Sequence, residues 1–237
     1  MIYAILTAIF AASFIISPAF TSFSGFEATQ LPFPQVDPPI QPAGYAFSIW
    51  GLIYGWLIVS SVYGLWKRGD DPAWNRARPF LIASFVIGTP WLYVATQNPI
   101  LATIMIILMA ATAITALLRA PKFDRWWFQA PVGIYAGWLT AASFVSLGST
   151  MAGYGIIFGS LGWAYVGIIG ALVVSLAVYS QRRAPGYLLT IIWALVGIIV
   201  ANQDGEASVV WLAQGGIAAL LIVMFWTYRR ARLSRPY

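Results

Sequence analysis

The sequence predicts an all-α fold, a polytopic transmembrane helical bundle of about eight spans with both termini in the cytoplasm. Composition is the first observation behind this prediction: 60% of the 237 residues are hydrophobic and 8% are charged. Ordinary globular domains have about 45–50% and about 25% of these classes. With a mean hydropathy of +0.79, too few polar side chains remain to cover a water-soluble core. A soluble enzyme domain, a disordered chain and a collagen-like fibre are therefore excluded.

Eight apolar runs are the second observation. A helix that crosses the hydrocarbon core of a bilayer needs about 20 mainly apolar residues. The third and fourth runs meet at Gln97-Asn98-Pro99, and so short a junction predicts a tight hairpin. Together the runs cover about two-thirds of the chain, so residues 1–237 are expected to form a single transmembrane domain. The predicted spans are residues 1–19, 45–66, 79–96, 99–118, 129–148, 160–180, 186–201 and 208–228.

The distribution of basic residues is the third observation, and it predicts the orientation. All 13 Lys and Arg residues fall in segments 67–78, 119–128 and 181–185 and in the tail from residue 229. With a cytoplasmic N-terminus, these four segments are the cytoplasmic ones, as the positive-inside rule requires. The net charge of +6 then reflects orientation and contact with anionic lipid, and we expect no nucleic-acid partner.

Two missing residue types restrict the chemistry. The chain has no Cys and no His, which excludes disulfides, thiolate nucleophiles, iron–sulfur clusters and the commonest metal and haem ligands. No Asp, Glu, Lys or Arg falls within a predicted span, although ion-coupled carriers place such groups there. We therefore predict no metal site, no covalent cofactor and no catalytic residue, and an enzymatic role is not favoured.

The loop between the first two spans is rich in proline, with five prolines between Leu31 and Pro42. Proline fixes φ and lacks an N–H group, so this loop is expected to be stiff and poor in backbone donors. On the following span, Phe47, Trp50 and Tyr54 fall within an arc of about 60° at 100° per residue. The loop and the start of this span also contain Pro38, Pro39 and Tyr45.

The fifth span has a similar aromatic face. At helical spacing, Pro131, Tyr135, Trp138 and Ala142 share one side. Together with the proline loop, this side suggests an aromatic-walled cavity for a flat, apolar ligand. The alternative is that both aromatic stripes only pack the bundle, and periodicity alone does not separate the two. Two glycine pairs at i, i+4 spacing predict close helix packing: Gly51 with Gly55, and Gly133 with Gly137.

The proline loop and the aromatic stripe of the second span resemble the tryptophan-rich sensory protein/translocator protein (TspO/MBR) family. Trp91, the turn at 97–99 and the stretch 131–138 extend the likeness, which covers residues 1–148. Members usually have five helices, so we interpret 1–148 as a TspO-like five-helix part and 149–237 as three additional helices, as in an enlarged branch of the family. Gly88 and the region 146–148 depart from the family pattern, which has Asn near both places.

The resemblance implies non-covalent binding of a tetrapyrrole or another apolar molecule, in the cytoplasmic membrane of a bacterium. Our leading hypothesis is a membrane-embedded sensor or regulator. A second is an accessory subunit of a larger membrane complex, photosynthetic or respiratory; a homo-oligomer is also compatible. The third is an uncoupled small-molecule carrier. The resemblance also implies light-dependent breakdown of porphyrins, an activity for which the residues themselves give no separate indication. The predicted ligand-binding residues are Pro38, Pro39, Pro42, Tyr45, Phe47, Trp50, Tyr54, Trp91, Tyr135 and Trp138.

Overall fold

A computed structural model describes residues 1–21 and 25–233, and within these ranges the chain is helical and has no β-strand. The elements follow the apolar runs of the sequence closely, because each run is long enough to form one hydrogen-bonded helix. The α-helices are α1 Ile2–Ile16, α2 Ile49–Lys67, α3 Pro72–Asn75, α4 Arg78–Gly88, α5 Trp91–Gln97, α6 Pro99–Leu118, α7 Ala130–Gly153, α8 Ser160–Gln181, α9 Pro185–Ala201 and α10 Ala207–Leu233.

All eight predicted spans are helical, which confirms the polytopic bundle. Seven helical segments of the described chain are long and apolar enough to cross a membrane, and α9, with 17 residues, is the shorter eighth. At 1.5 Å per residue α9 is about 25 Å long, near the lower limit for a span. The third span is divided into α4 and α5 at Thr89 and Pro90, because proline has no N–H to continue the helical hydrogen bonds.

Helix α7 lies at the centre of the bundle. Of its 24 residues, 17 are buried, and it packs against α2, α6, α8 and α9. The close approach to α9 depends on Gly137, where a Cβ atom would lie 2.6 Å from the carbonyl oxygen of Tyr187. The other predicted glycine groove, Gly51 with Gly55, receives no partner: no described atom lies within 4 Å of a Cβ built at either position.

The N-terminus and three basic loops meet at one end of the bundle. The N-terminal amine pairs with Asp70, and Arg182 Nη2 donates to the carbonyl oxygen of Pro121 at 2.6 Å. Arg68 Nε donates to Asp124 Oδ2 at 2.7 Å. These contacts bring the predicted cytoplasmic loops together, and the assignment of this end to the cytoplasm stays a prediction.

Several hydrogen bonds at this basic end converge on the side chain of Asp124. Besides the two hydrogen bonds from Arg68, its carboxylate accepts one from Trp74 Nε1 at 3.0 Å. Burial alone would raise the pKa of Asp124, but the hydrogen bonds from Arg68 and Trp74 outweigh it and hold that pKa below its ordinary value. The backbone of Asp124 is left-handed, with φ of 52°. The hydrogen bonds to its carboxylate hold this turn in place ahead of α7.

Candidate functional site

A cavity lies beneath the first loop, at the end of the bundle opposite the basic loops. Helix α1 begins at the basic end, and the loop that follows it supplies Gly25, Phe26, Gln41 and Pro42 to the cavity roof. The empty space is about 560 Å³, counting the part that opens to the outside. The stiff proline loop therefore does cover a cavity at this end of the helices.

Four of the ten predicted ligand-binding residues line this cavity: Pro42, Phe47, Trp91 and Trp138. The rings of Phe47 and Trp138 meet edge to face, with centroids 5.7 Å apart and planes at 84°. Trp91 donates its indole N–H to the carbonyl oxygen of Ala102 at 2.8 Å, which holds this ring in place. The walls are thus aromatic side chains of fixed orientation.

Three further predicted residues lie behind the wall and support it. Phe14 of α1 is at the centre of this second layer, with ring centroids 6.0 Å from Trp50, 5.6 Å from Tyr54 and 5.6 Å from Tyr135. Trp50 in turn meets Trp138 edge to face at 6.3 Å. These side chains therefore pack within the bundle, and a role for them in ligand binding stays a prediction.

The remaining three predicted residues are not among those that line the cavity. Tyr45 is 44% exposed and packs edge to face on Trp193 of α9, with centroids 5.6 Å apart. Pro38 and Pro39 contribute backbone carbonyl oxygens to the loop, and that of Pro39 accepts a hydrogen bond from Asn202 at 2.9 Å. Because a loop has no helical period, its sequence did not indicate which side chains turn inward.

The sequence analysis missed most of the cavity floor, although a signal for it exists. Trp138 starts a stripe on α7 that continues through Ala141, Ala142, Val145, Ser146 and Ser149, all of which line the cavity. These positions follow Trp138 at intervals of 3, 4, 7, 8 and 11 residues, as one helical face requires. Of these small residues, only Ala142 was placed on the aromatic face from the sequence, and none was predicted to bind a ligand.

A family model described as TSPO-like protein matches residues 2–226. The chain belongs to the TSPO-like family. The match extends beyond residue 148, so α8, α9 and most of α10 lie inside it together with the predicted five-helix part. No curated protein and no solved structure matches the chain.

The chemistry of the cavity in this TSPO-like protein is apolar with a narrow polar edge. None of the described lining residues is charged. The Ser146 hydroxyl is already bonded to that of Thr103 at 2.7 Å, whereas the buried Ser149 hydroxyl has no side-chain partner among the described residues. Gly88, where the family pattern has Asn, packs against Phe14 rather than the cavity. Gln41, Ser146 and Ser149 are therefore the polar side chains among the described residues that line the cavity.

The described residues contain no group of three or more carboxylate, His or Cys side chains that could hold a metal ion. The lining residues offer aromatic surfaces and neutral hydrogen-bonding groups.

Proposed function

We propose that this TSPO-like protein is a membrane-embedded sensor that binds a flat apolar molecule, such as a tetrapyrrole, non-covalently in the cavity. One observation carries the proposal: an open, uncharged space is walled by Phe47, Trp91 and Trp138, whose orientations are set by their own contacts. Flat ring systems are complementary to such walls because they can contact several aromatic faces and edges at once.

The membrane setting makes shape the main determinant of affinity. Lipid tails are as apolar as the cavity, so a ligand that arrives from the bilayer gains little from the hydrophobic effect. Contacts with aromatic rings contribute about 0.5–1.5 kcal/mol for each ring pair beyond area burial. Two or three such walls would contribute about 1–4 kcal/mol, and hydrogen bonds from Ser149 and Gln41 would add selectivity for a polar group on one edge of the ligand.

Filling the cavity tests this proposal. Ala142 lies on the cavity floor, on α7, and Ala142→Phe places a ring inside the space. Ala111, exposed on α6, offers a matched control in Ala111→Phe. Each protein is titrated with a porphyrin in lipid nanodiscs, and binding is followed by tryptophan fluorescence and porphyrin absorbance. We expect Ala142→Phe to weaken porphyrin binding about tenfold or more and Ala111→Phe to leave the affinity unchanged.

Equal affinity of the two variants would contradict the cavity as the porphyrin site. Purification from native membranes gives a second criterion, with size and absorption spectrum recorded together. A small particle with tetrapyrrole absorbance agrees with the sensor. A large particle with other subunits at fixed stoichiometry, and no porphyrin affinity of the isolated chain, would favour the accessory-subunit hypothesis instead.

A further inference from the structure

The lid segment, residues 38–47, is anchored by helix α9. Asn202 donates its side-chain Nδ2–H to the carbonyl oxygen of Pro39 at 2.9 Å, and Trp193 donates its indole N–H to that of Ala46 at 2.8 Å. A proline-rich segment has few N–H donors of its own but keeps its carbonyl acceptors. Trp193 of α9 and Asn202, the residue that directly follows α9, supply the donors that satisfy these carbonyl groups.

Gly197 lets the backbone of α9 lie directly against the lid segment. The Ala43 amide donates to the Gly197 carbonyl oxygen at 3.0 Å. A Cβ at position 197 would lie 2.8 Å from Pro42 Cβ and 2.9 Å from Ala46 Cβ. Such distances are shorter than van der Waals contact, so the lid segment occupies the space that any larger residue would need. Pro42 also lines the cavity, which links this contact directly to the site.

Ile40 is a second anchor, on the side of α8. Its side chain is 2% exposed and lies between α7 and α8. A Cβ at Gly167 would clash with Ile40 Cδ1, and one at Gly148 would lie 3.1 Å from it. The missing side chain at Gly167 therefore forms the recess into which the lid segment inserts.

We propose that α8 and α9 form a clamp that holds the lid segment over the cavity and thereby controls access to it. Gly197, Asn202 and Trp193 are positioning residues in this scheme, because they act on a ligand through Pro42 and Phe47. The inference rests on the proposed function only in treating the cavity as a ligand site. It gives α8 and α9, both beyond residue 153, a role in holding the segment that covers the cavity.

Cysteine labelling tests the clamp without any ligand, and the chain has no cysteine of its own. Ser149→Cys places a thiol on the cavity floor, where the native side chain is 5% exposed. Gly197→Ala pushes the lid segment outward and strengthens helix α9, since Ala favours helix over Gly. Gly215→Ala is the matched control, because no described atom lies within 4 Å of a Cβ there. N-ethylmaleimide labelling rates are compared in the two backgrounds.

We expect Gly197→Ala to speed the labelling of the position-149 thiol about tenfold, with no change in the Gly215→Ala background. Ser175→Cys, a fully buried site in α8, reports on general loosening and should keep its slow rate. An unchanged rate at position 149 would overturn the clamp, and so would equal acceleration at positions 149 and 175. Labelling uses no porphyrin. A failure of porphyrin binding would therefore contradict the proposed function, and the labelling rates would still test the clamp.

Discussion

Gly137 allows a sharp test of the packing between α7 and α9. A Cβ at this position would lie 2.6 Å from the carbonyl oxygen of Tyr187 and 3.0 Å from Thr190 Cβ. The carbonyl oxygen belongs to the backbone, so it cannot move away by a change of rotamer. Gly137→Ala therefore has to push the two helices apart, and the cavity wall at Trp138 moves with them.

Two opposing effects set the change in the free energy of unfolding that Gly137→Ala causes. Ala is favoured over Gly within a helix by about 0.5–1 kcal/mol, whereas overpacking of a well-filled interior costs about 1–3 kcal/mol. For Gly137→Ala the second effect wins, and we expect a net loss of about 1 kcal/mol. One turn earlier on α7, a Cβ at Gly133 would have its nearest neighbour at 3.5 Å. Gly133→Ala should therefore stabilise the protein by about 0.5–1 kcal/mol.

The assay is unfolding by SDS titration in mixed micelles, followed by far-UV circular dichroism, for the unchanged chain and both variants. The two substitutions are chemically identical and lie four residues apart on one helix, so their opposite signs isolate the contact with α9. A Gly137→Ala variant as stable as Gly133→Ala would refute the close approach of α7 to Tyr187.

Two further substitutions test contacts at the two ends of the bundle. Asp124→Asn tolerates the left-handed backbone but loses the charge that binds Arg68. Because the folded-state pKa of Asp124 is lowered, this stabilisation is present above the ordinary aspartate pKa and is lost as pH falls through the folded value. We expect a lower thermal midpoint at pH 7 and a difference that disappears in acid; a pH-independent difference would contradict the ion pair. Thr103→Val removes the hydroxyl that bonds Ser146 and Thr150 at 2.7 and 2.8 Å, which should cost about 1–3 kcal/mol, with Thr103→Ser restoring most of it.

In the helical regions, periodicity predicted which side chains share one face of a helix. Trp138 was placed on the cavity side because residues at intervals of three and four share one helical face, and the structure puts it there. The same reasoning showed which helical face carries Trp50, Tyr54 and Tyr135, but it did not show which part of the chain packs against that face. Phe14 of α1 occupies that neighbouring space, so these rings support the wall instead of lining it.

The amino-acid sequence by itself determined the all-helical membrane class, the eight apolar spans and the segregation of basic residues. These properties follow from local quantities: the length of apolar runs, the position of prolines and the charge of each loop. Helix–helix pairing depends on contacts between distant parts of the chain, and only the tertiary structure decided it. Pro39 and Asn202 are 163 positions apart, and no local pattern links them. The inward turn of Pro42, the outward turn of Tyr45 and the anchoring of the lid segment by α9 were decided by that packing.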